Sequence, residues 1–492
     1  MSMPAGGHTG RAVATLLALG IPIALFVALI AVVDRDPAGA VTASRSPFSD
    51  EAWSVMNARN LVRLGDWAPD GWHLYFVNLP FSLIEAGLFR VLGVGIVQAR
   101  LVSVVATVVT AALLAIGLRG PFGRIPALLA GCAFAASSLV LFYGDLAIME
   151  PLVATFLTAA VLLVVRLGGG HDGRVGLLSG LMLALAIGTK PNATFAALGI
   201  VLGVVVGGGI ASSVVRRWAI GAAASVAACA VVWLAAIGIP HLPDVAADVR
   251  IWPAQRLPRS IGDLVYSVAH YPFSSDGAIP GVGPVALAGI AGAVGSIAGW
   301  RSLNPAARRL IGAAIGWLVA GGIPLLIFNY HPNRYVAPLI PALSILLAAG
   351  ASLVWRESPQ PTSRRAAWAA ALLALVLVAP GAVGYADRFT TTGRTLVDEQ
   401  ATFQRIVPAG AVMEGDFAPL FAMTTGAQTI VSWPSAGVNN ADEYAVRRVR
   451  WLLIAPGEAP AWVALHPEAW AARQRVRCLT WGTEHVCLYS LP

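Results

Sequence analysis

Runs of roughly 18 to 22 apolar residues, each long enough to cross about 30 Å of hydrocarbon as a helix, recur along most of this chain. A lipid interior offers no water to backbone N–H and C=O groups, so such runs must be helices that pair those groups internally. With 57% hydrophobic and 12% charged residues, the chain is far too apolar for an ordinary soluble protein of 492 residues. Eleven crossings are expected: Ala12 to Val33, Ala99 to Leu118, Ile125 to Tyr143, Glu150 to Val165, Val175 to Thr189, Ala193 to Val215, Trp218 to Ile239, Gly283 to Trp300, Leu310 to Phe328, Val336 to Val354 and Ala366 to Gly384. The first run is longer than the 7 to 15 residues of a signal-peptide core. It reads as an uncleaved anchor, although Ala38-Gly39-Ala40 resembles a cleavage site.

Arginines set the orientation. Arg11, Arg119 and Arg124, Arg166 and Arg174, Arg216 and Arg217, Arg301, Arg308 and Arg309, and Arg356, Arg364 and Arg365 fall in alternate connections. Those connections are therefore expected on the cytoplasmic side, with the N-terminus cytoplasmic and the tail extracytoplasmic. The net charge of +8 then reports topology and membrane contact, and gives no reason to expect a nucleic-acid partner. The expected division is a transmembrane domain over 1–385, with external loops at 34–97 and 240–282, and a soluble α/β domain over 386–492.

Arginine supplies every basic side chain but one. The single lysine, Lys190, precedes Pro191. Val175 to Val215 would measure about 61 Å as one helix, two passes with little left for a turn, and proline is a natural break. Both ends carry cytoplasmic arginines, so Lys190 is expected at the outer face. A snorkelling lysine at a helix end is the competing reading.

Four external places hold most of the polar residues. The first loop carries Ser49-Asp50-Glu51 and an apolar segment, Phe76 to Gly93, which reads as a helix lying in the interface. The turn Tyr143 to Glu150 carries Asp145 and Glu150. The Pro-rich loop from Pro240 to Val282 carries several charges, and Asn329 to Tyr335 includes His331 and Arg334. A carboxylate can take a proton from an attacking hydroxyl, and lysine and arginine can stabilise a departing phosphate. Such a set suits transfer from a lipid phosphate to an alcohol.

The residues resemble those of GT-C fold glycosyltransferases, related to the protein O-mannosyltransferases and lipid A aminoarabinose transferases, which take sugars from polyprenyl-phosphate carriers. Asp50-Glu51 looks like that family's first acidic motif, Gln98-Ala99-Arg100-Leu101 like its Arg-Leu segment, and Tyr143 to Pro151 like its second acidic loop. Gly188-Thr189-Lys190-Pro191 resembles its Thr-Lys segment. Arg334-Tyr335-Val336-Ala337-Pro338-Leu339-Ile340-Pro341 resembles its Arg-Tyr-x-x-Pro-x-x-Pro segment. Many relatives carry a Lys-Pro-Pro-like segment ahead of the interfacial helix, where this chain reads Gly71-Trp72-His73-Leu74-Tyr75-Phe76-Val77-Asn78-Leu79-Pro80; the missing lysine argues against close kinship with the aminoarabinose branch.

The resemblance implies Asp50 as general base, Glu51 orienting it, and Glu150 positioning the base or a cation. It implies Lys190, Arg334 and Arg100 as donor-phosphate ligands, and Asp145, Tyr143, His331, Tyr335 and His73 as acceptor-side or accessory residues. The implied partners are a polyprenyl-phosphate-linked sugar, a glycan, lipid or protein acceptor, and membrane lipids. No cofactor is required; a divalent cation bridging carboxylates and phosphate would be compatible. The histidines His73, His241, His270 and His331 lack zinc-ligand spacing and read first as surface residues. A secondary transporter is the other class considered, but the helix interiors are nearly charge-free and no repeat is visible. A non-catalytic lipid- or glycan-binding protein would have no need for opposed acids and bases at one face.

Two further motifs point elsewhere. Asp34-Arg35-Asp36 spells the Asp-x-Asp of nucleotide-sugar transferases, yet lies on the side where nucleotide sugars are not normally available. Gly281 to Ala286 mimics a dinucleotide fingerprint but has no preceding strand. In the tail, strands are expected at Ala411 to Glu414, Thr429 to Ser432, Trp451 to Ala455, Val476 to Trp481 and His485 to Tyr489, with helices at Ala441 to Val449 and Pro460 to Arg473. A hairpin turning at Gly482-Thr483 sets Cys478 opposite Cys487 at a non-hydrogen-bonded position, close enough for a disulfide. Such a bond fits an oxidising exterior.

Overall fold

The computed structural model describes residues 19–37, 50–67, 78–243, 245–246, 257–258, 260–270, 278–328, 332–357, 379, 381–432, 447–481 and 484–492. His73 and His331 lie outside them, as do the helix expected at Ala441 to Val449, save its last residues, and most of the crossing expected at Ala366 to Gly384. The helices include α1 Leu19–Ile30, α2 Asp50–Arg63, α3 Leu79–Leu92, α4 Ile96–Gly117, α5 Arg124–Ala135, α6 Ser138–Tyr143 and α7 Glu150–Leu163. They continue with α8 Asp172–Thr189, α9 Ala193–Gly208, α10 Ser213–Trp233, α11 Ala278–Ala298, α12 Pro305–Ile327, α13 Ile340–Glu357 and α14 Thr395–Ile406. Among the described residues, five helical stretches are long and apolar enough to cross a membrane: Ile96–Phe122, Asp172–Thr189, Ser213–Gly238, Pro305–Ile327 and Asn333–Trp355.

Two expected crossings end differently in the structure. The run from Ala193 to Val215 stops at Gly208, because Gly209 takes φ +84° and terminates α9. Ser212 then caps α10, its side chain accepting from the Val215 N–H at 3.5 Å. The run from Ile125 to Tyr143 divides at Ala136 and Ser137 into α5 and α6. Hydropathy does not register either break, since glycine, alanine and serine barely change the average.

The chain forms two compact units. The first combines the segments up to Ile30, Val104–Gly144 and Glu150–Asp387. Its helices approach closely where glycines meet: a Cβ on Gly203 of α9 would lie 1.9 Å from the Gly312 carbonyl oxygen of α12, and one on Gly199 would lie 2.0 Å from that of Gly316. Gly176 and Gly180 of α8 meet the Trp218 and Ala222 backbones of α10 in the same way. Small residues let helix backbones pack where apolar burial supplies little drive.

The α8 helix orders the charges of this unit. At its start, Asp172 accepts from the Gly168 N–H at 2.7 Å and from Arg217 Nη2 at 2.7 Å, while Arg309 Nη2 donates to the Leu167 carbonyl at 2.9 Å. At its end, Lys190 is the extended C-cap residue, immediately before Pro191. The arginine-rich connections and Lys190 thus lie at opposite ends of one helix about 27 Å long.

The second unit combines Ala31–Ser103, Asp145–Met149 and Arg388–Pro492. Its sheet contains β1 Val412–Glu414, β2 Gln428–Ile430, β3 Trp451–Ile454, β4 Gln474–Trp481 and β5 Glu484–Ser490, in the order β2-β1-β3-β5-β4. β1 is parallel to β2 and β3; β5 is antiparallel to β3 and β4. Ile430, Val449, Leu452, Ile454, Trp462, Ala469 and Leu491 form its core. The helix expected from Pro460 to Arg473 is two, Ala459–Leu465 and Pro467–Ala472, broken before Pro467. Trp481 faces Glu484 and Cys478 faces Cys487, which are disulfide-bonded with Cα atoms 4.1 Å apart.

In this same unit the Asp-x-Asp sequence has a structural role. Asp36 caps α14, accepting from the Thr395 and Leu396 N–H groups at 2.9 Å each, and Asp34 pairs with Arg394 at 3.0 Å.

Candidate active site

Within the first unit, the start of α7, the end of α8 and the turn before α13 bring Glu150, Lys190, Arg334 and Tyr335 together. Glu150 Oε1 accepts from Lys190 Nζ and lies 3.3 Å from Arg334 Nε. Lys190 Nζ also sits 4.1 Å from the centre of the Tyr335 ring, a cation–π contact. The carboxylate is 1% exposed, whereas each cation retains 12%. The buried carboxylate thus holds two cations side by side with their accessible edges together, an arrangement suited to a phosphate. Tyr143 lines an apolar cleft beside Glu150, together with Thr107, Phe134, Pro151 and Ala337.

The local sequence explains each placement. Pro191 ends α8 so that Lys190 leaves the helix extended, with φ −152°. Glu150 occupies the first turn of α7, where a carboxylate is favoured by the helix dipole. Arg334 and Tyr335 lie on the 3₁₀ turn Asn333–Leu339, which Pro338 limits before α13 begins.

Within the second unit, the remaining acidic residues make a different set. Glu51 is fully buried and accepts from Arg100 Nε at 2.7 Å, Arg100 Nη2 at 2.8 Å and the Ala147 N–H at 2.8 Å. Arg100 Nη1 donates to the carbonyls of Val33 at 2.8 Å and Arg35 at 2.6 Å. Asp145, also fully buried, accepts from Arg388 Nη1 and Nη2 at 2.7 Å each. Burial pushes the Asp145 carboxyl above its ordinary range, opposed by the guanidinium of Arg388 and, more weakly, by that of Arg100. Asp50 opens α2 next to Glu51 and stays half-buried.

Glu51 and Asp145 therefore fasten the 145–149 segment to this unit. Arg100 has its guanidinium occupied by Glu51 and two carbonyls, the contacts of a buried strut. Arg388 is the residue that the sequence reading missed. Its only sequence signal is a cation one residue after Asp387, following the last apolar run, and nothing in that pattern names a partner 243 residues away. Cys478, His485 and Cys487 also converge, but both sulfurs are committed to the disulfide.

Comparison with known proteins bears on the fold. Residues 80–235 match the model of the dolichyl-phosphate-mannose-protein mannosyltransferase family. No curated protein matches the chain. ArnT from Cupriavidus metallidurans bound to undecaprenyl phosphate is similar in structure, with TM-score 0.63 at 16% identity over 96% of this chain and 97% of that one. The archaeal oligosaccharyltransferase AglB from Archaeoglobus fulgidus, in complex with an inhibitory peptide and a dolichol-phosphate, gives TM-score 0.55 at 13% identity over 89% of this chain and 69% of that one. The fold is that of the GT-C glycosyltransferases.

Proposed function

We propose that this chain, built on the GT-C glycosyltransferase fold, moves a sugar from a polyprenyl-phosphate donor to an acceptor hydroxyl at the extracytoplasmic face of a membrane. The observation that carries the reading is the Lys190–Glu150–Arg334 cluster at the end of α8 opposite the arginine-rich connections. Lys190 and Arg334 bind the donor phosphate, Lys190 as a point charge and Arg334 as a planar fork. Glu150 keeps both cations in place and offsets part of their charge before the donor arrives. That ArnT has been seen with undecaprenyl phosphate, and AglB with a dolichol-phosphate, supports the same class of carrier here.

The chemistry is a single displacement. The acceptor oxygen attacks the anomeric carbon, the bond from that carbon to the phosphate oxygen breaks, and configuration inverts. Asp50 takes the acceptor proton, while Glu51 and Arg100 hold the start of α2 and so position it. Polyprenyl phosphate leaves as an anion that Lys190 and Arg334 stabilise, so no strong general acid is needed. Tyr143 and Tyr335 serve around the donor, Tyr335 supporting the two cations through its ring, while Asp145, buried against Arg388, has a positioning role.

The test is turnover. Purified protein incubated with a panel of polyprenyl-phosphate sugars releases polyprenyl phosphate from at least one, and Asp50→Asn lowers that rate about 10²- to 10⁴-fold at unchanged protein level. Release from none, under conditions that support a known GT-C enzyme, rejects the assignment.

A further inference from the structure

The α2 and α3 helices, packed against each other, carry a set of buried polar atoms with no hydrogen-bond partner among the described residues. They are Asn57 Oδ1 and Asn60 Nδ2 from α2, and Asn78 Oδ1, Ser82 Oγ and both carboxyl oxygens of Glu85 from α3 and its cap. Every one of these five residues is at most 1% exposed. The atoms are not scattered. Asn78, Ser82 and Glu85 follow one another at i, i+4 and i+7 along one helical face, and Asn57 and Asn60 at i and i+3 along another. Asn78 Nδ2 donates to the Ser54 carbonyl at 2.8 Å, which sets the start of α3 one turn before Asn57.

The other bonds of the amides fix which end of each is unpaired. Asn57 Nδ2 donates to the Trp67 carbonyl at 3.2 Å, so its oxygen is the unpaired end; the Asn78 bond does the same there. Asn60 Oδ1 accepts from Arg59 Nη1 at 2.9 Å, leaving its nitrogen. The set therefore contains five oxygens, of which the Ser82 hydroxyl can also donate, and one amide nitrogen, an excess of acceptors when Glu85 is ionised. Buried polar groups in native proteins are paired, and a buried carboxyl either meets a cation or is held neutral. A carboxylate, two amide oxygens and a hydroxyl, with no sulfur or imidazole, form a hard-cation ligand set.

We propose that the α2–α3 interface binds a hard cation of the Ca²⁺ type, with Glu85, Asn57, Asn78 and Ser82 as its oxygen ligands. Ca²⁺ fits this set better than Mg²⁺, since it accepts irregular geometry and amide oxygens without needing a near-ideal octahedron. Asn60 Nδ2 then serves a metal-bound water or a carboxylate oxygen. The cation ties the interfacial helix α3 to the helix that carries Asp50, and its binding does not depend on the sugar-transfer reading.

Full-length protein in detergent, stripped with chelator and dialysed against CaCl₂, tests this by metal analysis and thermal unfolding. About one Ca²⁺ per chain should be retained, with a raised unfolding midpoint. Glu85→Gln, which keeps the shape, should weaken Ca²⁺ binding at least tenfold; Ser82→Ala serves as the second variant if Glu85→Gln does not fold. No retained Ca²⁺ in the parent protein, or retention unchanged in the variant that folds, would mean that water occupies this interface, and would overturn the proposal.

Discussion

At the scale of single residues, Glu150 decides how the donor cluster behaves. It is buried while both of its cationic partners keep an accessible edge, so removing its charge takes from Lys190 and Arg334 the carboxylate they share. Glu150→Gln should lower stability by about 2–3 kcal/mol. A polyprenyl phosphate should restore part of that loss, because its phosphate supplies the missing negative charge. Thermal unfolding with and without the lipid reads this directly: a larger lipid-induced rise in the variant than in the parent is expected. Lys190 was legible in the sequence through its rarity and the proline beside it. Its pairing with Glu150, 40 residues away, was not, since a sequence reading places both at one face without saying which carboxylate meets which cation. For the same reason Arg100 read as a phosphate ligand by its motif, while the structure shows its guanidinium spent on Glu51 and two carbonyls.

At the scale of elements, close helix packing rests on a few glycines. The α9–α12 contact at Gly203 leaves no room for a methyl group, which would meet the Gly312 carbonyl. Gly203→Ala should therefore cost about 1–3 kcal/mol through forced separation of the helices. Among the described residues no atom lies within 4 Å of where a Cβ on Gly295 of α11 would sit, so Gly295→Ala is the control and should be neutral or slightly stabilising. Unfolding of both variants in the same detergent makes the comparison. Most helices could be located from hydropathy because each must pair its own backbone in lipid. The break after Gly208 was legible only from Gly207-Gly208-Gly209, a local conformational signal that averaging over a window removes.

At the scale of the whole molecule, segments far apart in the chain share one unit. Arg59 of α2, 2% exposed, donates to the carbonyls of Ala422, Met423, Thr425 and Ala427 from the tail at 3.2, 3.2, 3.0 and 2.5 Å. Arg59→Met would take this donor from the Met423, Thr425 and Ala427 carbonyls, while that of Ala422 keeps its bonds from Thr425, costing at least about 3 kcal/mol. Exposed Arg63, one turn on, is the control, and Arg63→Met should change stability by less than about 0.5 kcal/mol. Limited proteolysis of the tail should accelerate for the first variant only. The sequence alone determined the membrane class, most helix positions, the tail strands and the register that joins Cys478 to Cys487, because each follows from local periodicity or a short turn. Only the tertiary structure decided that the tail shares a unit with the first loop, that Arg388 holds Asp145, and that Glu150 joins Lys190 to Arg334. Those pairings depend on where the chain returns in space, and a buried charge takes the partner that packing brings within reach, whatever its distance along the sequence.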